Sequence, residues 1–236
     1  MNARPDGAGP TPVLVAGFGP EATQPAGAAG ERRRIADLDV SVVCPVQTGD
    51  AEVGDVVERL GSELDRLGRT WEILLVFDGV RGAAWRTAQD LQTRFGGRVK
   101  ALSFQRSFGE SACLSAAFEH ARGSIIVTSP QYVQVDPAAL GPMLAALEGG
   151  ADFVTPWRQG RVDPLLNRMQ SAAFNLLMRG IIRTGFHDLN CYFRAMRREV
   201  LDDIVVYGDM YRFLPVIAHR QGFDVVEERV KHLKEW

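Results

Sequence analysis

The hydrophobic residues of this chain follow two alternating rhythms from Asp39 onwards. Continuous apolar runs such as Trp71–Phe77 predict strands that are covered on both faces. Between them, apolar residues at helical spacing, as from Val53 to Leu67, predict amphipathic helices. The alternation continues to a last strand near 225–230. It predicts one α/β domain over residues 37–236, with a mostly parallel sheet flanked by helices.

Two helix starts carry local signals. Asp136 and Pro137 are a favoured N-cap residue and a favoured first helical residue, so a helix is expected directly after the strand and loop that precede them. Ser107 and Glu110 have the spacing of a capping box, which predicts a helix from there to about Arg122.

Residues 1–36 differ in composition from the rest of the chain. They are rich in Gly, Pro and Ala, which predicts a disordered tail. The segment Val13–Ala22 matches a loose dinucleotide-binding pattern of glycines, which requires a following helix. Pro20 and Pro25 come next and no helical period follows. We therefore reject a dinucleotide site here.

Net charge, cysteine spacing and the length of apolar runs exclude several classes of protein. The 236 residues carry 27 Lys and Arg against 29 Asp and Glu, for a formal net charge of −2, which gives no electrostatic case for binding nucleic acid. Three widely spaced cysteines within apolar runs predict neither a disulfide framework nor a metal pair, so a cytoplasmic location is expected. No apolar run approaches the roughly 20 residues of a membrane-spanning helix, and no secretory signal is visible.

A series of short segments, in this order, resembles a known family. They are Val42–Val46, Trp71–Gly79, Gln105–Ser111, Gly150–Val154, Trp157-Arg158, Arg168–Ser171, His187–Arg194 and Tyr211–Pro215. The chain from about 38 to 232 resembles the family-2 glycosyltransferases of the dolichyl- or polyprenyl-phosphate sugar synthase type. The resemblance implies a GT-A fold and a nucleotide-sugar donor.

The resemblance implies a nucleotide site at the ends of the first, second and fourth strands. Its residues in this chain are Pro45, Gln47, Asp78, Gly79, Ser129 and Gln131. The loop after the first strand lacks the aromatic, amide and acid of the family pattern, although Gln47 can still bond a base edge. Asp78 stands alone where the family carries two aspartates. An Asp before Gly is also a common turn former, so both roles stay open for it.

The family's metal-binding Asp-x-Asp pair is missing. Ser129 and Gln131 stand at its two positions and carry no charge. Hard cations such as Mg²⁺ favour carboxylate oxygens. We therefore predict no metal ligands in the protein, and at most weak binding of Mg²⁺ or Mn²⁺ as a cofactor.

The acceptor side keeps its basic and polar residues. By resemblance, Arg158, Arg168, Ser171 and Asn190 would bind phosphate or acceptor, a task that suits the planar guanidinium. Asp188 is the candidate base and Arg212 a second catalytic candidate. The alternative is purely structural: an ion pair from Asp188 to Arg194 or Arg212.

These expectations combine into an inverting transferase, which moves a sugar from a UDP- or GDP-sugar to a phosphate-bearing or small hydroxylated acceptor. A polyprenyl phosphate at the inner membrane face is one such acceptor, and would place a cytoplasmic protein peripherally on the membrane. The alternative is a catalytically silent scaffold of the same fold that binds a nucleotide or a protein partner. Sugar, acceptor and oligomeric state are not encoded in any pattern that we recognise.

Overall fold

The computed structural model describes residues 38–159, 185–204 and 210–233. Within these ranges a single mixed sheet contains seven strands in the order β3-β2-β1-β4-β6-β5-β7. The strands are β1 (Leu38–Val46), β2 (Trp71–Phe77), β3 (Val99–Ser103), β4 (Gly123–Thr128), β5 (Phe153–Gln159), β6 (Arg194–Arg197) and β7 (Val225–Lys231).

The helices follow the strands, as the apolar periodicity predicts. They are α1 (Val53–Arg66), α2 (Ala83–Phe95), α3 (Glu110–His120), α4 (Leu140–Glu148), α5 (Arg198–Asp203) and α6 (Leu214–Arg220). Short 3-10 turns cover Gly96–Arg98, Pro137–Ala139 and Met210–Phe213. The predicted cap at Asp136 is confirmed, because its carboxylate accepts a hydrogen bond from the Ala138 N–H at 3.1 Å.

Strand directions define the edge of the sheet where the site lies. All strands run the same way except β6, which pairs antiparallel with both β4 and β5. The carboxyl ends of the six parallel strands therefore meet at one edge, which we call the carboxyl edge. From β1 the chain proceeds to β2 and β3 on one side, whereas β4 pairs on the other. Such a switch point opens a crevice outside the strand ends, the usual place for a ligand in this architecture.

Two apolar layers cover the sheet, one on each face. Helices α1, α2 and α4 pack over one face, where alternate residues of β1 and β2 point. Helices α3, α5 and α6 pack over the other face. Burial on both faces explains why β2 is apolar at nearly every position. A single buried carboxylate, Glu72, interrupts it.

The predicted capping box is wrong. Gly109, not Ser107, is the N-cap residue of α3, and no side chain of its own caps the helix. The Ser107 hydroxyl instead donates to the carboxylate of Asp78 at 2.7 Å. The Asp78 carboxylate also accepts hydrogen bonds from the N–H groups of Phe108 and Gly109, so a residue from β2 fills the capping role.

Some predictions fall beyond the described ranges. The proposed tail, residues 1–36, and the segment that carries Arg168 and Ser171 lie outside them. Among the helices of the described ranges, none has the length and hydropathy needed to cross a membrane.

Candidate functional site

Gln131 links the loops that follow β1 and β4, on either side of the crevice. Its Oε1 accepts hydrogen bonds from the backbone N–H groups of Gln47, at 2.7 Å, and Thr48, at 3.3 Å. The loop after β1 is thereby tied to the loop after β4. The Gln47 side chain is exposed, whereas Pro45 is buried within β1 opposite Val76. Gln131 therefore shapes the loop that the sequence analysis assigned to the nucleotide.

Ser129, the other residue at the position of the acidic pair, is also engaged within the protein. Its N–H donates to the carbonyl of Val43 and its hydroxyl to the carbonyl of Pro130 at 3.1 Å. A neutral amide oxygen that already accepts two N–H groups, beside a hydroxyl bonded to its neighbour, does not fit a tightly held Mg²⁺ or Mn²⁺. In the part of the chain that the structure describes, no group of three or more His, Cys, Asp or Glu side chains could hold a metal ion.

Asp78 lies at the end of β2 and is almost fully buried, with 4% of its surface exposed. Its two oxygens accept the three hydrogen bonds from the loop before α3 described above. Gly79 follows with a φ of +71°, and a Cβ there would lie 2.5 Å from the backbone of Arg106. Only glycine suits this conformation and this close approach. Asp78 and Gly79 thus hold the end of β2 against the loop that leads into α3.

Arg158 and Asp188, which the resemblance predicts to lie near the acceptor, form a buried ion pair. Arg158 Nε donates to Asp188 Oδ2 at 2.6 Å and Nη2 to Oδ1 at 3.1 Å. The residues are 4% and 2% exposed. The N–H of Asn190 also donates to Asp188, at 3.2 Å. The structural alternative for Asp188 named Arg194 or Arg212 as its partner; the partner is Arg158.

Arg194 instead supports the backbone around Arg212. Its guanidinium donates to the carbonyls of Tyr211, at 2.5 Å, of Leu189, at 2.8 Å, and of Arg212, at 3.1 Å. The side chain of Arg212 is exposed and donates from Nε to the Tyr211 hydroxyl at 3.0 Å. Arg212 is thus a cation that the fold presents at the carboxyl edge.

One carboxylate at this edge escaped the sequence analysis as a site residue. Glu110 is the first residue of α3, and the phenol groups of Tyr192 and Tyr211 and the guanidinium of Arg212 are near enough to act on its charge. Burial raises the pKa of its carboxyl, against the opposing effect of these neighbours. The segments that contain Glu110, Tyr192 and Tyr211 were all part of the family resemblance. A signal was present, but Glu110 was interpreted as a cap.

The polar groups predicted from separate segments therefore meet at the carboxyl edge wherever the structure describes them. The loop after β1, Asp78, the loop after β4, the Arg158–Asp188 pair and Arg212 all lie there. Arg168 and Ser171 cannot be placed, because they lie outside the described residues. Their assignment to an acceptor phosphate stays a prediction.

Comparison with known proteins gives a family match over most of the domain. The model of glycosyl transferase family 2 matches residues 41–205. Dodecaprenyl-phosphate galacturonate synthase of Rhizobium johnstonii is 30% identical over 188 residues, which cover 79% of this chain and 56% of the relative. Undecaprenyl-phosphate 4-deoxy-4-formamido-L-arabinose transferase of Pseudomonas paraeruginosa is 30% identical over 193 residues, 82% of this chain and 57% of the relative. The chain spans a little over half the length of these relatives.

Solved structures show the same fold at lower identity. Glucosyl-3-phosphoglycerate synthase of Mycobacterium tuberculosis in complex with UDP matches with a TM-score of 0.63 and 17% identity, over 91% of this chain and 78% of that one. The same enzyme with Mn²⁺, UDP and glucosyl-3-phosphoglycerate matches with a TM-score of 0.59 and 18% identity, over 85% and 74%. The expected GT-A fold is thereby confirmed.

Proposed function

Since the chain belongs to glycosyl transferase family 2, we propose that it transfers a sugar from a UDP- or GDP-sugar to a phosphate-bearing or small hydroxylated acceptor. The observation that supports the proposal is that the family-matched polar residues lie along the carboxyl edge of the sheet, with Gln47 and Gln131 at its switch point. The relatives in the comparison are named for transfer to, or synthesis of, polyprenyl-phosphate sugars. A polyprenyl phosphate is therefore the first acceptor to test, with the protein peripheral at a membrane surface.

In this proposal the loop after β1 and Asp78 form the nucleoside end of the site. Gln47 is exposed and available to a base edge, and its backbone is positioned by Gln131. Asp78 holds the loop before α3 in place, and we assign it a positioning role. These two loops flank the crevice where the nucleotide would enter.

The phosphates would lie on the basic side. Arg212 is exposed there and is positively charged. An acceptor oxygen would attack the anomeric carbon of the sugar, while the bond from that carbon to the diphosphate oxygen breaks and its electron pair leaves with the diphosphate. Fixed cations stabilise the charge that develops on the leaving oxygen. Arg158 is neutralised by Asp188, so we assign that pair to shaping the acceptor wall.

A divalent cation could supply further charge stabilisation if the diphosphate brought it along. The described residues at positions 129 and 131 do not form a strong site for it, as argued above. No step of the proposal depends on a metal.

The alternative function is a catalytically silent scaffold. It is favoured by one observation: Gln131, Asp78 and Asp188, the polar side chains at three family positions, are all engaged in internal hydrogen bonds. Such a protein would bind a nucleotide or a partner without turnover.

Two measurements separate these functions. Thermal shift of the full chain with UDP, GDP and their sugars should raise the Tm by about 5–10 °C at saturating nucleotide. Release of UDP or GDP from the sugar nucleotide should then depend on an added acceptor, either undecaprenyl phosphate in vesicles or 3-phosphoglycerate. A shift without turnover supports the scaffold that binds a nucleotide. The absence of both a shift and turnover contradicts the transferase and the nucleotide-binding scaffold, and leaves only a scaffold that binds a protein partner.

A matched pair of variants tests the phosphate side. Arg212→Ala should weaken nucleotide-sugar affinity, because a cation at the carboxyl edge is lost. Arg220→Ala removes the same charge from the exposed far end of α6 and should leave affinity unchanged. Equal effects of the two variants in a calorimetric titration would reduce Arg212 to a surface charge.

A further inference from the structure

Glu110 stands out among the carboxylates that face the carboxyl edge because of its neighbours. Asp78 is held by two N–H groups and a hydroxyl, and Asp188 is held in a fork by a buried arginine. These carboxylates are committed to the fold. Glu110 is half-buried, and the phenol groups of Tyr192 and Tyr211 and the guanidinium of Arg212 act on its charge, while the buried Tyr192 hydroxyl has no hydrogen-bond partner among the described residues.

The residues around Glu110 are held by ring packing and hydrogen bonds. Tyr192 and Tyr211 pack with ring centroids 5.1 Å apart. The Thr128 hydroxyl at the end of β4 donates to the Tyr192 carbonyl at 2.6 Å, which places Tyr192 beside the loop of Ser129. Arg194 Nη1 donates a hydrogen bond to the Tyr211 carbonyl at 2.5 Å, which holds the backbone of Tyr211 in place. Glu110 thus lies beside two packed tyrosines whose backbone is anchored by hydrogen bonds, one of them to the end of β4.

Two buried polar atoms near Glu110, Arg194 Nε and the Tyr192 hydroxyl, have no hydrogen-bond partner among the described residues. Arg194 is 3% exposed, and its Nε has no hydrogen-bond partner in the structure over residues 38–159, 185–204 and 210–233. Buried N–H groups in folded proteins are usually paired. These two atoms lie within electrostatic reach of Glu110 and are available to a polar ligand.

We infer that Glu110 is the catalytic base of the transfer, taking the proton from the acceptor oxygen as that oxygen attacks the anomeric carbon. The inference rests on the proposed function and identifies the acceptor chemistry. The attacking oxygen carries a proton, as a hydroxyl group does and as a phosphate monoester does in its monoanionic form. The oxygen–hydrogen bond breaks, the proton goes to a Glu110 carboxylate oxygen, the new oxygen–carbon bond forms, and the electron pair of the old bond leaves with the diphosphate.

The surroundings of Glu110 suit this role. A base works best when its pKa lies near the working pH, and burial raises the pKa of Glu110 from its ordinary value. The neighbouring hydroxyls of Tyr192 and Tyr211 can orient an acceptor oxygen beside the carboxylate. The buried ion pair leaves Asp188 unsuited to the task, because proton uptake would break its fork with Arg158.

The test is turnover by the full chain with Glu110→Gln, measured across pH with both acceptors. A lost general base typically lowers the rate 10²- to 10⁴-fold, so we expect kcat to fall by about 100-fold or more with the KM for the donor unchanged. Glu119→Gln is the matched control, since it makes the same change at an exposed position of the same helix. Glu110→Asp should restore part of the rate, because it restores a carboxylate.

The pH profile tests the proton transfer with each acceptor in turn. With 3-phosphoglycerate the defect of Glu110→Gln should persist at all pH values, because the attacking hydroxyl keeps its proton. With undecaprenyl phosphate the defect should shrink as the pH rises past about 6, where a phosphate monoester loses its second proton.

Failure of the inference is distinct from failure of the proposed function. If wild type turns over and Glu110→Gln retains its kcat and the same pH profile, Glu110 is not the base and the transferase proposal stands. If wild type releases no nucleotide with either acceptor, the transferase proposal itself fails and the inference falls with it.

Discussion

Glu72 and Glu110 are glutamates at opposite edges of one sheet. Their environments shift the pKa values of their carboxyl groups in opposite directions. Glu72, at the amino end of β2, is fully buried. Its carboxylate accepts hydrogen bonds from the Ser41 hydroxyl at 2.8 Å, from Lys100 Nζ at 2.7 Å and from the N–H of Arg122 at 2.6 Å. Burial alone would raise its pKa, but these partners outweigh burial and lower the pKa. Burial prevails at Glu110, whose pKa is raised.

The contrast shows what a buried carboxylate needs in order to be purely structural. The partners of Glu72 come from β1, from β3 and from the residue before β4, so the charge joins four neighbouring strand starts. An anion that is fully paired in this way stabilises the fold only while it stays ionised. Glu110 has hydroxyl neighbours in place of such an enclosure, and exchange of a proton there leaves the strands undisturbed. Glu72 joins the strands at the amino edge, whereas the chemistry that we propose takes place at the carboxyl edge.

The Arg158–Asp188 pair could break this contrast, because it lies at the carboxyl edge and is nevertheless paired like Glu72. Asp188→Ala removes the carboxylate that accepts two hydrogen bonds from the buried guanidinium of Arg158. The free energy of unfolding should fall by about 3–5 kcal/mol. Denaturant unfolding measures the change. A loss below about 1 kcal/mol would show that the pair contributes little to the fold, and would return Asp188 to the list of candidate bases.

Glu72→Gln should have the next largest effect. The amide keeps the shape but loses the charge-assisted hydrogen bonds from Lys100 and Arg122, each of a kind worth about 1.5–3 kcal/mol. Both cations are partly exposed and can turn to solvent, so we expect a total loss of about 2–3 kcal/mol and unchanged kcat in the folded protein. Glu58→Gln, at an exposed ion pair with Arg94, is the control and should change stability little. A loss of activity without a loss of stability would contradict the division between the two edges.

The contrast also shows which features of the fold could be predicted from the sequence alone. Strands and helices follow from local periodicity, and β2 lies where its apolar run predicted, at Trp71–Phe77. The cap at Asp136 is equally local, acting on a residue two positions away. The capping box failed because Asp78, 30 residues before Phe108, reaches the same N–H groups and holds Ser107 as well.

Site contacts depend on long-range strand pairing, which a single sequence does not specify. Arg158 reaches Asp188 across 30 residues, because β5 and the segment before β6 end side by side. The sequence offered Arg194 and Arg212 as nearer partners for Asp188. For the same reason the sequence did not reveal the surroundings of Glu110, because Tyr192 and Tyr211 lie some 80 and 100 residues further along the chain. It also did not reveal the hydrogen bond between Gln131 and Gln47, which are 84 residues apart.

The two glutamates should give opposite pH dependences of stability. Because the pKa of Glu72 is lowered in the folded state, its contribution is present above the unfolded value of about 4.3 and is lost as the pH falls through the folded value. Because the pKa of Glu110 is raised, its contribution is present below about 4.3 and is lost as the pH rises through the folded value. Melting curves from pH 3 to 7 should show Glu72→Gln furthest below wild type at neutral pH. Glu110→Gln should equal or exceed wild type there, and a clear loss of Tm in that variant at pH 7 would show that the Glu110 charge supports the fold.

The smallest effect we expect is that of divalent metal on turnover. With Gln131 holding two backbone N–H groups and Ser129 bonded to its neighbour, a cation would be held mainly by the diphosphate itself. EDTA against added Mn²⁺ should therefore change wild-type turnover by less than about tenfold, which corresponds to about 1.4 kcal/mol in the barrier. The Ser129→Asp, Gln131→Asp double variant supplies the missing carboxylates and should gain metal dependence. It also frees the loop of Gln47 and Thr48, so Gln131→Ala is needed as the control that frees the loop without adding charge. If EDTA abolishes turnover by wild type, ligands other than the described residues at positions 129 and 131 hold a metal. The carboxyl edge would then owe its charge stabilisation to that ion rather than to fixed arginines such as Arg212.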